Sequence, residues 1–176
     1  MPKKYRKMLP DWEAPYIQSL IRLVETQSKT TISNWCTDYS ERRLLPIYES
    51  AYPDDFRPRQ ALNAAKEWLN GNIKLTQAKP VILECQAAAR QAADNPAAQA
   101  AARAIGQCAS TIHSAGHCAA LALYGALAVA YDTAGLDADW PKLEQLAAEE
   151  CGRMEDALRA IAVENETNPA KLTWKC

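Results

Sequence analysis

The chain has 176 residues, with 20 basic and 21 acidic side chains and a net charge of −1. That balance offers no field to attract a phosphate backbone, so nucleic acid is not an expected partner. Hydrophobic residues make up 48%, dominated by alanine, with one Phe and only six glycines. Strand formers and hairpin turns are therefore in short supply, and an all-α fold is expected.

One domain over residues 1–176 is expected, with an irregular tail from 165 to 176. A chain of this size can bury roughly 70% of its unfolded surface without disulfides or metal. Lys3-Lys4-Tyr5-Arg6-Lys7 reads as a frayed, solvated start. Asp11 then precedes a helix with Pro15 in its first turn, and Ile17, Leu20, Ile21 and Val24 mark its apolar face. The polar segment 27–31 breaks that helix. A second is expected from near Ser33, carrying Trp35, Cys36, Tyr39, Leu44 and Leu45. Pro46 ends or kinks it, because proline lacks an amide proton and clashes with the preceding turn.

After the loop Tyr52-Pro53-Asp54-Asp55, Asp55 can cap a third helix that has Pro58 in its first turn and closes at Gly71. The segment Asp54 to Arg59 can serve two ends. Its carboxylates and guanidinium groups can tie down their own helix start, or clamp an anionic or peptide partner. A fourth helix is expected from Thr76 to about Asp94, tolerating Pro80. Asn95-Pro96 is a cap followed by proline at the first helical position, and opens a fifth helix to about Ile112. A sixth runs from about Ser114 to Thr133 and ends at Gly135. The last begins at the cap Asp139 and continues to about Glu164, with Glu144, Glu149, Glu150, Arg153, Glu155, Asp156 and Arg159 on a mostly acidic exposed face. This makes about seven helices, in an antiparallel bundle or a solenoid-like stack around an alanine-rich central pair.

Between Arg103 and Asp132 there is no charged side chain. The stretch is long enough to raise a membrane span, but it is built of alanine and small polar residues and lacks interfacial anchors. A central helix buried on all sides is the expectation, and no membrane partner. The chain's two histidines, His113 and His117, stand there four apart, and are expected on one helical face. Two readings stand for them: hydrogen-bonded core histidines at a helix junction, or part of a metal site that would need further ligands. The glutamate of H-E-x-x-H is missing. The residues favour the first reading, and neither a metal nor a cofactor is expected. Cys36, Cys85, Cys108, Cys118, Cys151 and Cys176 include no C-x-x-C pair. With charged residues following Met1 rather than an apolar run, they point to a reducing cytoplasm. Phosphate-loop, dinucleotide and nucleophile-elbow motifs are absent.

Three pieces together carry a resemblance. They are Trp35 with Glu41-Arg42-Arg43-Leu44-Leu45-Pro46-Ile47-Tyr48-Glu49, then Pro53-Asp54-Asp55-Phe56-Arg57-Pro58-Arg59 leading to Trp68, and Ala102-Arg103-Ala104-Ile105-Gly106 running on to His113 and His117. Over roughly residues 33–160 the chain resembles the all-helical immunity proteins of bacterial polymorphic-toxin systems, of the fifth immunity family. The resemblance implies a non-enzymatic protein that binds and neutralises a cognate toxin. It makes Trp35, Arg43, Glu49, Asp55, Arg57, Arg59, His113 and His117 the candidate partner-binding residues, with Pro46 and Trp68 also typical of the family. The helix from Trp12 to Val24 has no counterpart in it. The alternatives are a metal-binding protein or metal-dependent enzyme using His113 and His117, and a homo-oligomer, a homodimer in its simplest form, packing through an exposed apolar face.

Overall fold

Side-chain caps and first-turn prolines set most helix starts. Asn95 accepts from the Ala98 amide at 3.0 Å, Asp139 from Lys142 at 2.9 Å and Ser28 from Thr31 at 3.2 Å. The computed structural model describes residues 3–174 and has no strand among them. Its α-helices are α1 (Pro15–Val24), α2 (Lys29–Tyr39), α3 (Leu45–Ala51), α4 (Arg57–Leu69), α5 (Leu75–Gln91), α6 (Pro96–Ala109), α7 (Ala126–Ala134) and α8 (Trp140–Ile161). Six of the seven expected helices are present, the one expected from Ser114 to Thr133 is broken, and Pro46 lies in the first turn of a short extra helix, α3. The all-α expectation holds.

The start of α2 moved. The polar segment 27–31 does not separate helices by itself: Ser28 caps α2, which begins at Lys29 rather than Ser33. Thr30 and Thr31 are tolerated there because the cap satisfies the first amides. At the other end of α4 and α7, Gly71 and Gly135 take positive φ of 77° and 82°, which favours glycine.

Helix α6 is the hub. From Ala98 to Ala109 it is buried on nearly every side, and it packs against α2, α3, α4, α5 and α7. Alanine makes this possible, because a methyl group lets neighbouring backbones approach closely on all faces at once. Repeats in a solenoid touch only their neighbours. A helix that meets five others is the centre of a bundle.

The second half of the charge-free stretch is not one long helix. A 3₁₀ turn (Ser110–Ile112) ends at His113, Ser114 is extended, another 3₁₀ turn covers Ala115–Cys118, and a π-helical turn (Leu121–Gly125) leads into α7. No helix among the described residues is long and apolar enough to cross a membrane. The five described cysteines are buried. Burial pushes the Cys85 and Cys151 thiols up to about 12, which keeps them protonated and inert. Cys176 lies outside the described residues.

The N-terminal segment is not frayed. Lys3 pairs with Asp137 at 2.8 Å, Tyr5 packs edge-on against Tyr131, the Leu9 amide donates to Leu123 at 2.9 Å, and the Arg6 guanidinium lies over Trp140. Aromatic and main-chain anchors override the tendency of a basic terminus to stay loose. The described part of the tail after α8, residues 162–174, is irregular, but it too is docked. Its Val163 and Ala170 amides donate to the Gln27 side-chain and main-chain oxygens at 2.7 and 2.8 Å, and Trp174 packs at a tilt against Trp12, 5.5 Å between ring centres. It passes so close to Gly116 that a Cβ there would lie 2.5 Å from the Thr173 carbonyl oxygen. Gly116→Ala should therefore lift the tail, at a cost of about 1–2 kcal/mol. Faster tryptic cleavage after Lys171 would register it; an unchanged cleavage rate would contradict it.

Candidate functional site

Proline 46 creates the first surface feature. It cannot donate to the carbonyl four residues back, and its ring crowds that carbonyl. The chain answers with a π-helical turn, Ser40–Leu44, between α2 and α3. Such turns recur at functional sites. This one meets the second π turn: a Cβ on Gly125 would lie 3.1 Å from Leu44. It also carries Arg42 and Arg43 into a cleft of about 500 Å³ between the π turn, α7 and α8, walled by Tyr39, Val129, Thr133, Leu146, Glu149, Arg153 and Ala157.

Beneath the cleft lies Glu150, fully buried. Its carboxylate accepts from Tyr39 Oη at 2.5 Å, from Arg43 Nε and Nη2 at 2.9 Å each, and from Arg153 Nη1 at 2.9 Å. Burial alone would raise its pKa. The hydrogen bonds from Arg43 and Tyr39 outweigh that and hold the group below its ordinary range. Burial likewise pushes the Tyr39 hydroxyl up, helped by its bond to Glu150. The expectation that Glu150 stands on an exposed acidic face is thus wrong. Along α8 the buried positions are Leu143, Ala147, Glu150, Cys151, Met154 and Leu158, so the glutamate occupies the apolar stripe. A charge at that spacing was the available signal, and neither it nor Tyr39 and Arg153 was among the sequence candidates.

The loop before α4 ties down its own helix. Asp55 accepts from the Arg57 amide at 3.1 Å, from Arg57 Nε and Nη2 at 2.8 and 2.6 Å, and from Tyr48 Oη at 2.7 Å. Arg57 reaches on to Gln91 at 2.8 Å. Arg59 clasps Glu49 through two bonds of 2.7 and 2.8 Å, and Lys66 bridges Glu41 and Asp38. The Arg57 bonds, with help from Tyr48, hold the Asp55 carboxyl down at about 2. A group so depressed stabilises the fold fully above its ordinary 3.8 and loses that contribution as pH falls toward 2. Asp55→Asn should lose about 2 kcal/mol at neutral pH. Urea midpoints of variant and wild type should converge between about pH 4 and pH 2; parallel profiles would refute it.

Trp35 is buried, and its indole N–H donates to the Met154 carbonyl at 2.9 Å. The two histidines lie elsewhere, and neither sits in the core. His113 is exposed and His117 half-buried. Extended Ser114 (φ −143°) separates them, so they share no helical face, and among the described residues no side-chain hydrogen bond holds either imidazole. They line a groove of about 360 Å³ with Leu75, Ile82, Leu83 and Gln86 of α5. Burial, and then the neighbouring His113, lower the His117 pKa, which leaves that ring neutral at pH 7. Among the described residues no group of three or more His, Cys, Asp or Glu is placed to hold a metal ion.

The eight sequence candidates therefore fall into four places. Trp35 is in the core, Arg43 in the cleft, Glu49, Asp55, Arg57 and Arg59 in ion pairs around the start of α4, and the histidines in the second groove. The architecture is an all-α bundle whose surface clefts are shaped by irregular turns. The chain belongs to the family described as Imm-5 like putative immunity protein, which matches residues 22–157. That span takes in both the cleft and the groove. No curated protein and no solved structure gives a match.

Proposed function

We propose that this chain is a cytoplasmic immunity protein of a bacterial polymorphic-toxin system, which binds a cognate toxin and neutralises it by occlusion, without catalysis. Family membership over residues 22–157 carries this reading. The geometry is in keeping with it. The motif residues Asp55, Arg57, Glu49 and Arg59 are engaged with one another, and so act as a frame for a binding surface. The frame leaves open the arginine cleft, which combines guanidinium groups with an aromatic and aliphatic floor. Tyr and Arg are the side chains most often found to dominate the energy of protein interfaces.

The test is co-expression with the product of the adjacent toxin gene. Growth should be restored by this protein, and the two should co-purify as a stoichiometric complex. Unrestricted toxicity together with no complex would overturn the proposal.

A further inference from the structure

We propose that the arginine cleft between the π turn and α8 is where the toxin docks, and that it receives a carboxylate from an aspartate or glutamate on the toxin surface. The inference rests on the toxin-binding reading above and assigns it a place and a chemistry.

The buried carboxylate is the first observation. Replacing a whole buried ion pair with apolar side chains is often neutral or stabilising, so the network around Glu150 adds little to the fold that an apolar cluster could not. What it does supply is orientation. Glu150 takes two donors of Arg43 and one of Arg153. A guanidinium has five N–H donors, so both side chains keep others for the cleft they line. Arginine used in this way arrives with its rotamer already fixed, and loses less freedom when a second carboxylate binds.

Charge complementarity is the second. Arg42, Arg43 and Arg153 face Glu149 and the buried Glu150, which leaves the cleft positive although the chain as a whole carries −1. Glu149 is already engaged by Gln145 at 3.0 Å. The ligand is a protein side chain because of the walls. Val129 and Leu146 flank the arginines, and they suit the methylene stem and neighbours of an acidic residue. A phosphate would leave that apolar surface uncovered.

The experiment measures binding of the purified adjacent-gene toxin to the wild type, Arg42→Glu, Arg153→Gln and a distant exposed control, Arg90→Glu, at two salt concentrations. Arg42 makes only a 3.4 Å bond to the Asp38 carbonyl, so its reversal should leave the melting temperature unchanged. Arg42→Glu should weaken binding about tenfold or more and flatten its salt dependence, with Arg153→Gln weakening it less and the control not at all. Wild type that binds no toxin would sink the toxin-binding reading itself. Wild type that binds, with Arg42→Glu and Arg153→Gln equally tight, would overturn only the cleft assignment. A monomer–dimer equilibrium abolished by Arg42→Glu would give the cleft to a second copy of the chain, and would likewise overturn it.

Discussion

Glu150→Gln is expected to cost about 3 kcal/mol of stability, the low end for breaking a buried charge pair. For a chain of this size that lowers Tm by roughly 6–12 °C. The volume hardly changes, so packing is not the reason. Four donors converge on the carboxylate, from Tyr39, Arg43 twice and Arg153. An amide keeps one acceptor oxygen and turns an NH₂ toward the other donors, so donor meets donor at a fully buried position. Arg43 and Arg153 have side chains 45% and 58% exposed and can swing toward solvent. Tyr39, only 4% exposed, cannot, and must share the single amide oxygen with whatever guanidinium remains.

Two further outcomes separate this account from a simple packing defect. The double variant Tyr39→Phe, Glu150→Leu removes the buried hydroxyl together with the charge, and should recover most of the lost stability. The pH dependence has a definite sign. The folded carboxylate is held below its ordinary 4.5, so its stabilising contribution is complete above that value and drains as pH falls through the folded pKa. The gap between wild type and Glu150→Gln should therefore be widest at neutral pH and close in acid. A gap that stays constant with pH would show that shape, and not charge, accounts for the loss.

Helix content was legible because its signals are local. Asn95-Pro96, Asp139 and Gly135 act within a few residues, and the structure uses each as a cap or a stop. The π turns were not legible, because they are settled by what packs against them. Pro46 announces a disturbance in the chain, but whether it yields a break, a kink or a π turn depends on Leu44 finding its place against Gly125. The histidine pair failed for the same reason. A spacing of four places two residues on one face only if the helix between them is continuous, and the tail carbonyl at Thr173 crowding Gly116 marks how tertiary packing constrains that segment. Glu150 was misplaced by assuming that a glutamate in an acidic helix faces water. Its position on the stripe from Leu143 to Leu158 says otherwise, but two of its three partner residues are about 110 positions away in sequence, Tyr39 at 111 and Arg43 at 107. Those distances are invisible to any periodicity.

Trp35→Ala should be the most damaging single change in the chain, at about 3–5 kcal/mol, the usual range for emptying a buried aromatic site. Trp35 is 2% exposed, and it joins α2 to α8 by burying its ring and by donating its indole proton to the Met154 carbonyl. Removing the ring leaves a cavity between two helices that also hold Tyr39 and Glu150, so the polar network beneath the cleft loses its frame as well. Trp35→Phe keeps most of the volume and loses the donor, and should cost only about 1–2 kcal/mol, since the Met154 carbonyl retains its place in the helix ladder. The two substitutions also separate fold from function. If Trp35 acts only through packing, Trp35→Phe will melt lower yet bind toxin as tightly as wild type at a temperature where both are folded. Tight binding lost without a stability change would mean that the indole itself meets the partner, which its burial contradicts.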